Sequence, residues 1–307
     1  MKRVLIVIPA RYASTRLPGK PLQKIAGIEM IRRVAMIAES LCCRTTEPAT
    51  PMGPVATHTV GYVVATDDIR VAELCAEYRI PCRMTDAGCR SGTERCRDIV
   101  RGIAENPIEY ADHRSADHPD LIVNLQGDNP LCPPGVIQCL INAWLDDDMD
   151  AANTQGADTS PADAFTPCLH LSWEAYDRLV ESKRTTPYSG TTVLVNHVGD
   201  ALAFSKTLIP TIRKPDSARV RLTRSPVRQH IGLYAYLPAS LERYFSLPEC
   251  EYESGDIEGL EQMRFLVAGM RIRVVEVDPG ARPFIGGVDS PEDILRTEAI
   301  LREYGES

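Results

Sequence analysis

The chain has 307 residues, 44% of them hydrophobic and 25% charged, with a formal net charge of −8. That length and composition describe a globular chain of one large or two small domains, able to bury a full core. The acidic balance excludes a general attraction to polyphosphate, so no nucleic-acid partner is expected. No apolar run approaches the ~20 residues of a membrane span, so no membrane partner is expected either.

Val4–Ile8 are consecutively apolar and mostly β-branched, which predicts a first strand buried on both faces and ended by Pro9. A loop with three cations follows: Arg11, Arg16 and Lys20. Ile31, Val34, Ala35, Ala38 and Leu41 mark one face of a helix. Residues 43–60, rich in Pro and Thr and without period, read as an inserted surface loop. Tyr62–Ala65 is a second strand ended by Thr66-Asp67-Asp68. Then come a helix over 69–79, a short strand over 80–84, a glycine-containing loop and a helix over 93–104. Residues 105–119 read as a second polar insertion. Leu121–Leu125 is another buried strand, and Gln126-Gly127-Asp128-Asn129-Pro130 a turn. Pro133 or Pro134 opens a helix whose core face is Val136, Ile137, Leu140, Ile141 and Trp144.

This alternation predicts a parallel sheet with helices on both faces. Asp146–Asp148 and Asp150 read as a solvated acidic turn. The second half changes character, with strands near 192–196, 201–205 and 230–237 and a basic stretch over 213–228. A helix over 256–269, a strand over 272–277 and a helix over 290–303 close the chain. Met1-Lys2-Arg3 leads into the first strand without a cleavable leader, so a cytoplasmic location is the expectation. The ten cysteines contain no Cys-x-x-Cys pair, and reduced thiols without a structural zinc are expected.

Four groups of residues carry candidate chemistry. The cationic loop sits where open α/β sheets hold phosphates, at the carboxyl end of a buried strand. It contains neither a Walker sequence nor a dinucleotide fingerprint. Asp128 follows another buried strand and faces the same crevice. It suits a hard Mg²⁺ ion, which takes one or two carboxylates plus phosphate oxygens, and equally suits a turn cap. In Gly286–Asp293, either Asp289 or Ser290 can cap the last helix, with Pro291 at its first position. Alternatively, Asp289 joins Asp128 and the cationic loop in a magnesium triphosphate site. Ser91-Gly92-Thr93 can admit a planar base against the backbone or simply cap a helix.

The run Ile8-Pro9-Ala10-Arg11-Tyr12-Ala13-Ser14-Thr15-Arg16-Leu17-Pro18-Gly19-Lys20-Pro21-Leu22 resembles the signature of the CMP-Kdo synthetase (3-deoxy-manno-octulosonate cytidylyltransferase) family. The likeness continues in Val63–Asp67, Ser91–Arg95, Gln126–Asp128, His230–Tyr236 and Gly287–Asp293. It implies a Rossmann-like nucleotidyltransferase fold, with a mostly parallel mixed sheet flanked by helices and an antiparallel dimerisation lobe. The expected organisation is a single domain over 1–307, with a CTP-binding half over 1–149 and an acceptor-binding and dimerisation half over 150–307. The implied reaction is Mg²⁺-dependent transfer of CMP from CTP to a small anionic acceptor with release of pyrophosphate, by a homodimer. By the same resemblance Asp128 and Asp289 hold Mg²⁺. Ala10, Arg11, Ser91, Gly92 and Thr93 surround cytosine and ribose, and Lys20 the phosphates. Arg16, Gln126, His230, Tyr234, Glu261 and Gln262 face the acceptor. Lys20, Arg16, Asp128 and Asp289 form the implied catalytic set.

The departures from the family pattern gather at the acceptor side. Asn129 stands where the family has Glu, Cys89-Arg90 where it has His-Gln, Asp256 where it has His, and Thr192 where a lysine falls. Exchanging a carboxylate for an amide and adding an arginine changes which anion a pocket prefers. The expected acceptor is therefore a phosphonate such as phosphonoformate, as in the related CTP:phosphonoformate cytidylyltransferase. The alternative is 3-deoxy-manno-octulosonate (Kdo) itself. A remoter one is a non-catalytic nucleotide sensor on the same fold, against which the retained Lys20, Asp128 and Asp289 speak. Arg219, Arg221, Arg224 and Arg228 read either as a flap over the acceptor or as a solvated hairpin.

Overall fold

The first strand, β1 (Lys2–Ala10), organises the chain's first compact unit, and its apolar run Val4–Ile8 is wholly buried. The computed structural model describes residues 2–13, 16–42, 58–103, 118–153, 161–278, 280 and 286–305. It divides into two units: Met1–Ile141 with Ala235–Pro238 and Pro279–Ser307, and Asn142–Tyr234 with Ala239–Asp278. The C-terminal segment therefore belongs with the N-terminal half. Most of both expected insertions, residues 43–57 and 105–117, lies outside the described residues, as do Ser14 and Thr15.

After β1 come a single 3-10 turn at Lys20–Leu22, the two-residue strands β2 (Lys24–Ile25) and β3 (Ile28–Glu29), and α1 (Met30–Ser40). There follow β4 (His58–Thr66), α2 (Ile69–Glu77), β5 (Cys82–Met84), α3 (Gly92–Ile103), β6 (Leu121–Asn124) and α4 (Pro134–Asn153). The strands stand in the order β5-β4-β1-β6, all in parallel pairs. The chain builds β1, β4 and β5 outward on one side, then crosses to place β6 on the other side of β1. That reversal leaves a crevice at the carboxyl ends of β1, β4 and β6, the place where open α/β sheets bind ligands.

Two details differ from the expectation here. His58–Val60, assigned to the insertion, open β4 and are buried. Pro9 does not end β1, which stays in register with β4 to Ala10↔Thr66. Its carbonyl accepts the Gly127 N–H, so the edge that lacks a donor faces the loop beyond β6, where no ladder bond is required of it.

The second unit holds β7 (Ala164–His170), α5 (Trp173–Thr185), β8 (Thr192–Val195), β9 (Ala201–Ser205), α6 (Pro215–Arg221) and β10 (Arg228–His230). After β11 (Tyr234–Tyr236) come α7 (Pro238–Ser246), α8 (Gln262–Val267) and β12 (Ile272–Glu276), and α9 (Pro291–Tyr304) closes the chain in the first unit. Here β7, β10, β8 and β9 are antiparallel neighbours, and β12 lies parallel on β7. The chain thus adopts the expected α/β class with a mostly parallel mixed sheet and helices packed against it.

The second half carries most of the corrections. Pattern reading missed β7, which contains Pro167, and α5, where Leu179 is the buried residue and so leaves little periodicity. Asp146–Asp148 are not a turn but part of α4, because the Asp147 carboxylate is drawn in to Arg273 at 3.1 Å and to the Ala162 N–H at 2.8 Å. The helix expected over 256–269 is reduced to α8, since Gly259 takes a left-handed φ of 60° and breaks it. The basic stretch forms α6 rather than a hairpin. Its Arg219 pairs with Asp177 at 2.5 Å and stacks on Trp173. Among the described residues no helix is long and apolar enough to cross a membrane.

The turn after β6 depends on one glycine. A Cβ at Gly127 would lie 2.5 Å from the Pro9 carbonyl oxygen, so only glycine lets this turn close against β1. Gly127→Ala is expected to cost about 1–3 kcal/mol of stability. Gly135→Ala, in α4 with open space around its Cβ, is expected to stay within about 0.5 kcal/mol of the parent. Urea unfolding of both variants checks this pair, and equal midpoints would contradict the close approach.

Candidate functional site

The loop after β1 is shaped before it is charged. Gly19 adopts a left-handed φ of 64° and caps the turn that begins at Lys20, while Pro21 is buried beneath it. The Tyr12 ring packs on Gly19, and the Arg70 guanidinium lies 3.4 Å from the centre of that ring. This fixes the start of the Lys20 side chain. Its ammonium reaches Asp128 Oδ2 at 2.6 Å and Asp289 Oδ1 at 2.8 Å, and Arg16 meets the other Asp289 oxygen at 3.0 Å.

The two carboxylates come from remote segments that are stitched together by backbone. Val288 N–H donates to the Asp128 carbonyl at 2.8 Å. A Cβ at Gly287 would stand 2.9 Å from the Asp128 carboxylate, so the glycine clears the space that this side chain fills. The open question of which residue caps the last helix is resolved by the hydrogen bonds. Ser290 accepts the Asp293 N–H, and the Asp293 carboxylate bonds back to the Ser290 N–H, a capping box with Pro291 at the first position. Asp289 is therefore released from capping and turns its carboxylate to Lys20 and Arg16.

The electrostatics follow from this arrangement. Burial draws the Lys20 pKa down, the Asp128 and Asp289 carboxylates push it up, and the net direction is upward. A cavity of about 540 Å³ adjoins the pair, lined by Ala10, Arg11, Arg16 and Lys20 from the first loop and by Gln126, Gly127 and Asp128 from the turn after β6. Cys89, Arg90, Ser91, Gly92 and Arg95 close its other side. Ser91 both lines the cavity and caps α3, its hydroxyl accepting the Glu94 N–H at 3.1 Å. Thr93 turns into the core, 3.4 Å from the Tyr236 hydroxyl. Arg95, which the motif reading left without a role, is fully buried and ties α3 to Asp67 at 2.7 Å and Thr85 at 2.5 Å.

The remaining acceptor candidates belong to the second unit. His230 Nε2 lies 2.9 Å from the Thr166 hydroxyl, and its ring packs against Phe204 and Tyr234. Thr166 in turn donates to the Leu233 carbonyl at 2.8 Å, so the Nε2 atom carries the proton between them. Burial pushes the His230 pKa down and that of Tyr234 up, with the Glu261 charge adding to the latter. Gln262 is buried at the start of α8. Thr166 was invisible to motif reading because its strand was not recognised.

The four departures from the family pattern fall in different places. Asn129 is buried and Thr192 wholly so, the latter donating to the Thr207 carbonyl at 2.7 Å and accepting the Ile209 N–H. Asp256 is exposed in the turns before α8. Only Cys89-Arg90 line the cavity of the first unit.

The donor set suits a hard divalent ion. Two carboxylates already converge on one cation within 3 Å, with a cationic loop beside them for phosphate oxygens, which such an ion requires in addition. Among the described residues no cluster of three or more His, Cys, Asp or Glu exists to hold a metal without such help.

Comparison with known proteins identifies the family. Residues 5–272 match the cytidylyltransferase family. A 3-deoxy-manno-octulosonate cytidylyltransferase from Maricaulis maris is 40% identical over 303 residues, covering 99% of this chain and 98% of that one. A second, from Paraburkholderia phytofirmans, is 36% identical and covers 96% and 93%. The solved structure of CMP:2-keto-3-deoxy-manno-octonic acid synthetase complexed with CTP superposes with a TM-score of 0.71 at 30% identity, covering 99% of both chains. With the family match spanning most of its length and the cationic loop set against paired carboxylates, the chain belongs to the cytidylyltransferase family, CTP-dependent nucleotidyltransferases.

Proposed function

We propose that this enzyme transfers CMP from CTP to 3-deoxy-manno-octulosonate and releases pyrophosphate, with Mg²⁺ held by Asp128 and Asp289. The observation that carries the reaction type is the convergence of those carboxylates with Lys20 and Arg16 beside a cavity at the sheet's carboxyl edge. The acceptor is supported by the names of relatives that align over nearly the whole chain. It replaces the phosphonate expected from the sequence departures. Asn129 and Thr192 are buried, and Asp256 sits in an exposed turn, which leaves Cys89-Arg90 as the change at the cavity.

In this reading Ala10, Arg11, Ser91 and Gly92 border the cytosine and ribose, and Thr93 supports them from the core. Lys20 and Arg16 neutralise charge that grows on the pyrophosphate as the bond from the α-phosphorus to the bridging oxygen breaks. The acceptor hydroxyl forms the new oxygen–phosphorus bond in line with that leaving group and gives up its proton to solvent water. Bound Mg²⁺ would supply Lewis-acid stabilisation of the phosphate charge and lower the pKa of the attacking hydroxyl. Gln126, which lines the cavity, is assigned to the sugar acid. Homodimer formation through the second unit is part of the proposal. It is supported by the apolar side chains that the hairpin β8–β9 leaves exposed, Leu194, Val198 and Leu202.

Three outcomes are expected. Pyrophosphate release from CTP and Mg²⁺ should proceed with Kdo and not with phosphonoformate, and the reverse preference would overturn the acceptor. Asp128→Asn should lower kcat by at least about 10²-fold, as expected when several kcal/mol of charge stabilisation is lost. Its far-ultraviolet circular dichroism should be unchanged, and an active variant with ordinary Mg²⁺ dependence would sink the metal assignment. Leu202→Glu should shift the mass measured by light scattering from dimer to monomer.

A further inference from the structure

Asn124 is an unusual residue to find at the end of β6. It stands opposite Val7 in a strand whose other members are Leu121, Ile122 and Val123, and it has no exposure to solvent. Its side-chain oxygen accepts the Gln126 Nε2–H at 3.1 Å, while its own Nδ2 is buried without a hydrogen-bond partner. A leucine of similar size would fill this site without leaving a buried donor unpaired, so packing alone does not favour asparagine.

Gln126 is the group that benefits. It lines the cavity, two residues before Asp128. Its amide occupies the space that Gly92 leaves open, where an added Cβ would come within 3.0 Å of Nε2 and 3.1 Å of Oε1. The Gln126 amide is thus hydrogen-bonded to Asn124 on one side and accommodated at Gly92 on the other.

We infer that Asn124 is a positioning residue that fixes the Gln126 amide so that it presents a preset donor and acceptor to a hydroxyl or carboxylate of the acceptor sugar acid. The inference rests on the acceptor reading above. Fixing the amide in advance removes a rotamer cost that substrate would otherwise bear. The orphaned Nδ2 is a local loss of stability tolerated for that orientation.

The test is Asn124→Leu in the full-length enzyme. The expected result is a KM for Kdo raised about tenfold or more, a KM for CTP within about two-fold of the parent, and a melting temperature equal or higher. Placed on Gln126→Ala, the same substitution should have no further effect on the Kdo KM. An unchanged Kdo KM, or a lowered melting temperature with both KM values moving together, would overturn the inference. Should the parent enzyme fail to use Kdo at all, the acceptor reading falls. The positioning claim is then decided by the Gln126 side-chain amide resonances, identified by their loss in Gln126→Glu. Dispersed signals in the parent that collapse toward free-amide positions in Asn124→Leu support it, and identical spectra refute it.

Discussion

The Lys20 ammonium, shared between Asp128 and Asp289, is the interaction at which remote segments of the first unit meet. Two carboxylates this close repel one another in the absence of a cation, and each is brought in by a different part of the chain. Asp128 arrives on the turn that follows β6, and Asp289 on the approach to α9. The arrangement holds because backbone contacts set it: Val288 donates to the Asp128 carbonyl, and Gly287 leaves the volume that the Asp128 side chain occupies. The charges do not assemble the site. They are placed by it.

The sheet explains why these segments meet. β1 lies between β4 and β6, so the loops leaving all three emerge on one edge. Gly127 closes against Pro9, which itself continues β1 instead of ending it, and the turn carrying Asp128 is thereby anchored to the strand that carries the cationic loop. Arg95 does the same for α3, tying the helix that begins at Ser91-Gly92 to Asp67 beyond β4. Buried polar contacts of this kind trade stability for geometry, and they cluster around the cavity.

The second unit is organised differently, with antiparallel neighbours and a polar interior around His230, Thr166 and Tyr234. Its ion pairs, such as Arg273 with Asp147 and Asp200, draw acidic residues inward that look solvated in one dimension. The departures from the family pattern are a related case. A substitution counted as a change of specificity on paper can be a buried structural residue in space, as Thr192 is.

By itself the sequence determined the fold class, the parallel strands of the first unit and the signature of a CTP-dependent nucleotidyltransferase. Those properties rest on local patterns: β-branched runs, turn residues after them, and a long motif whose spacing is contiguous. Tertiary structure decided what depends on residues meeting across the chain. It chose Ser290 over Asp289 as the cap of α9, because a capping box needs both partners in place. It carried β1 through Pro9, drew Asp147 into α4, and hid β7 and α5 from pattern reading because their burial comes from neighbours rather than from period. The coupling of Asn124 to Gln126 was beyond reach for the same reason, since a hydrogen bond inside a core leaves no trace in hydrophobic spacing.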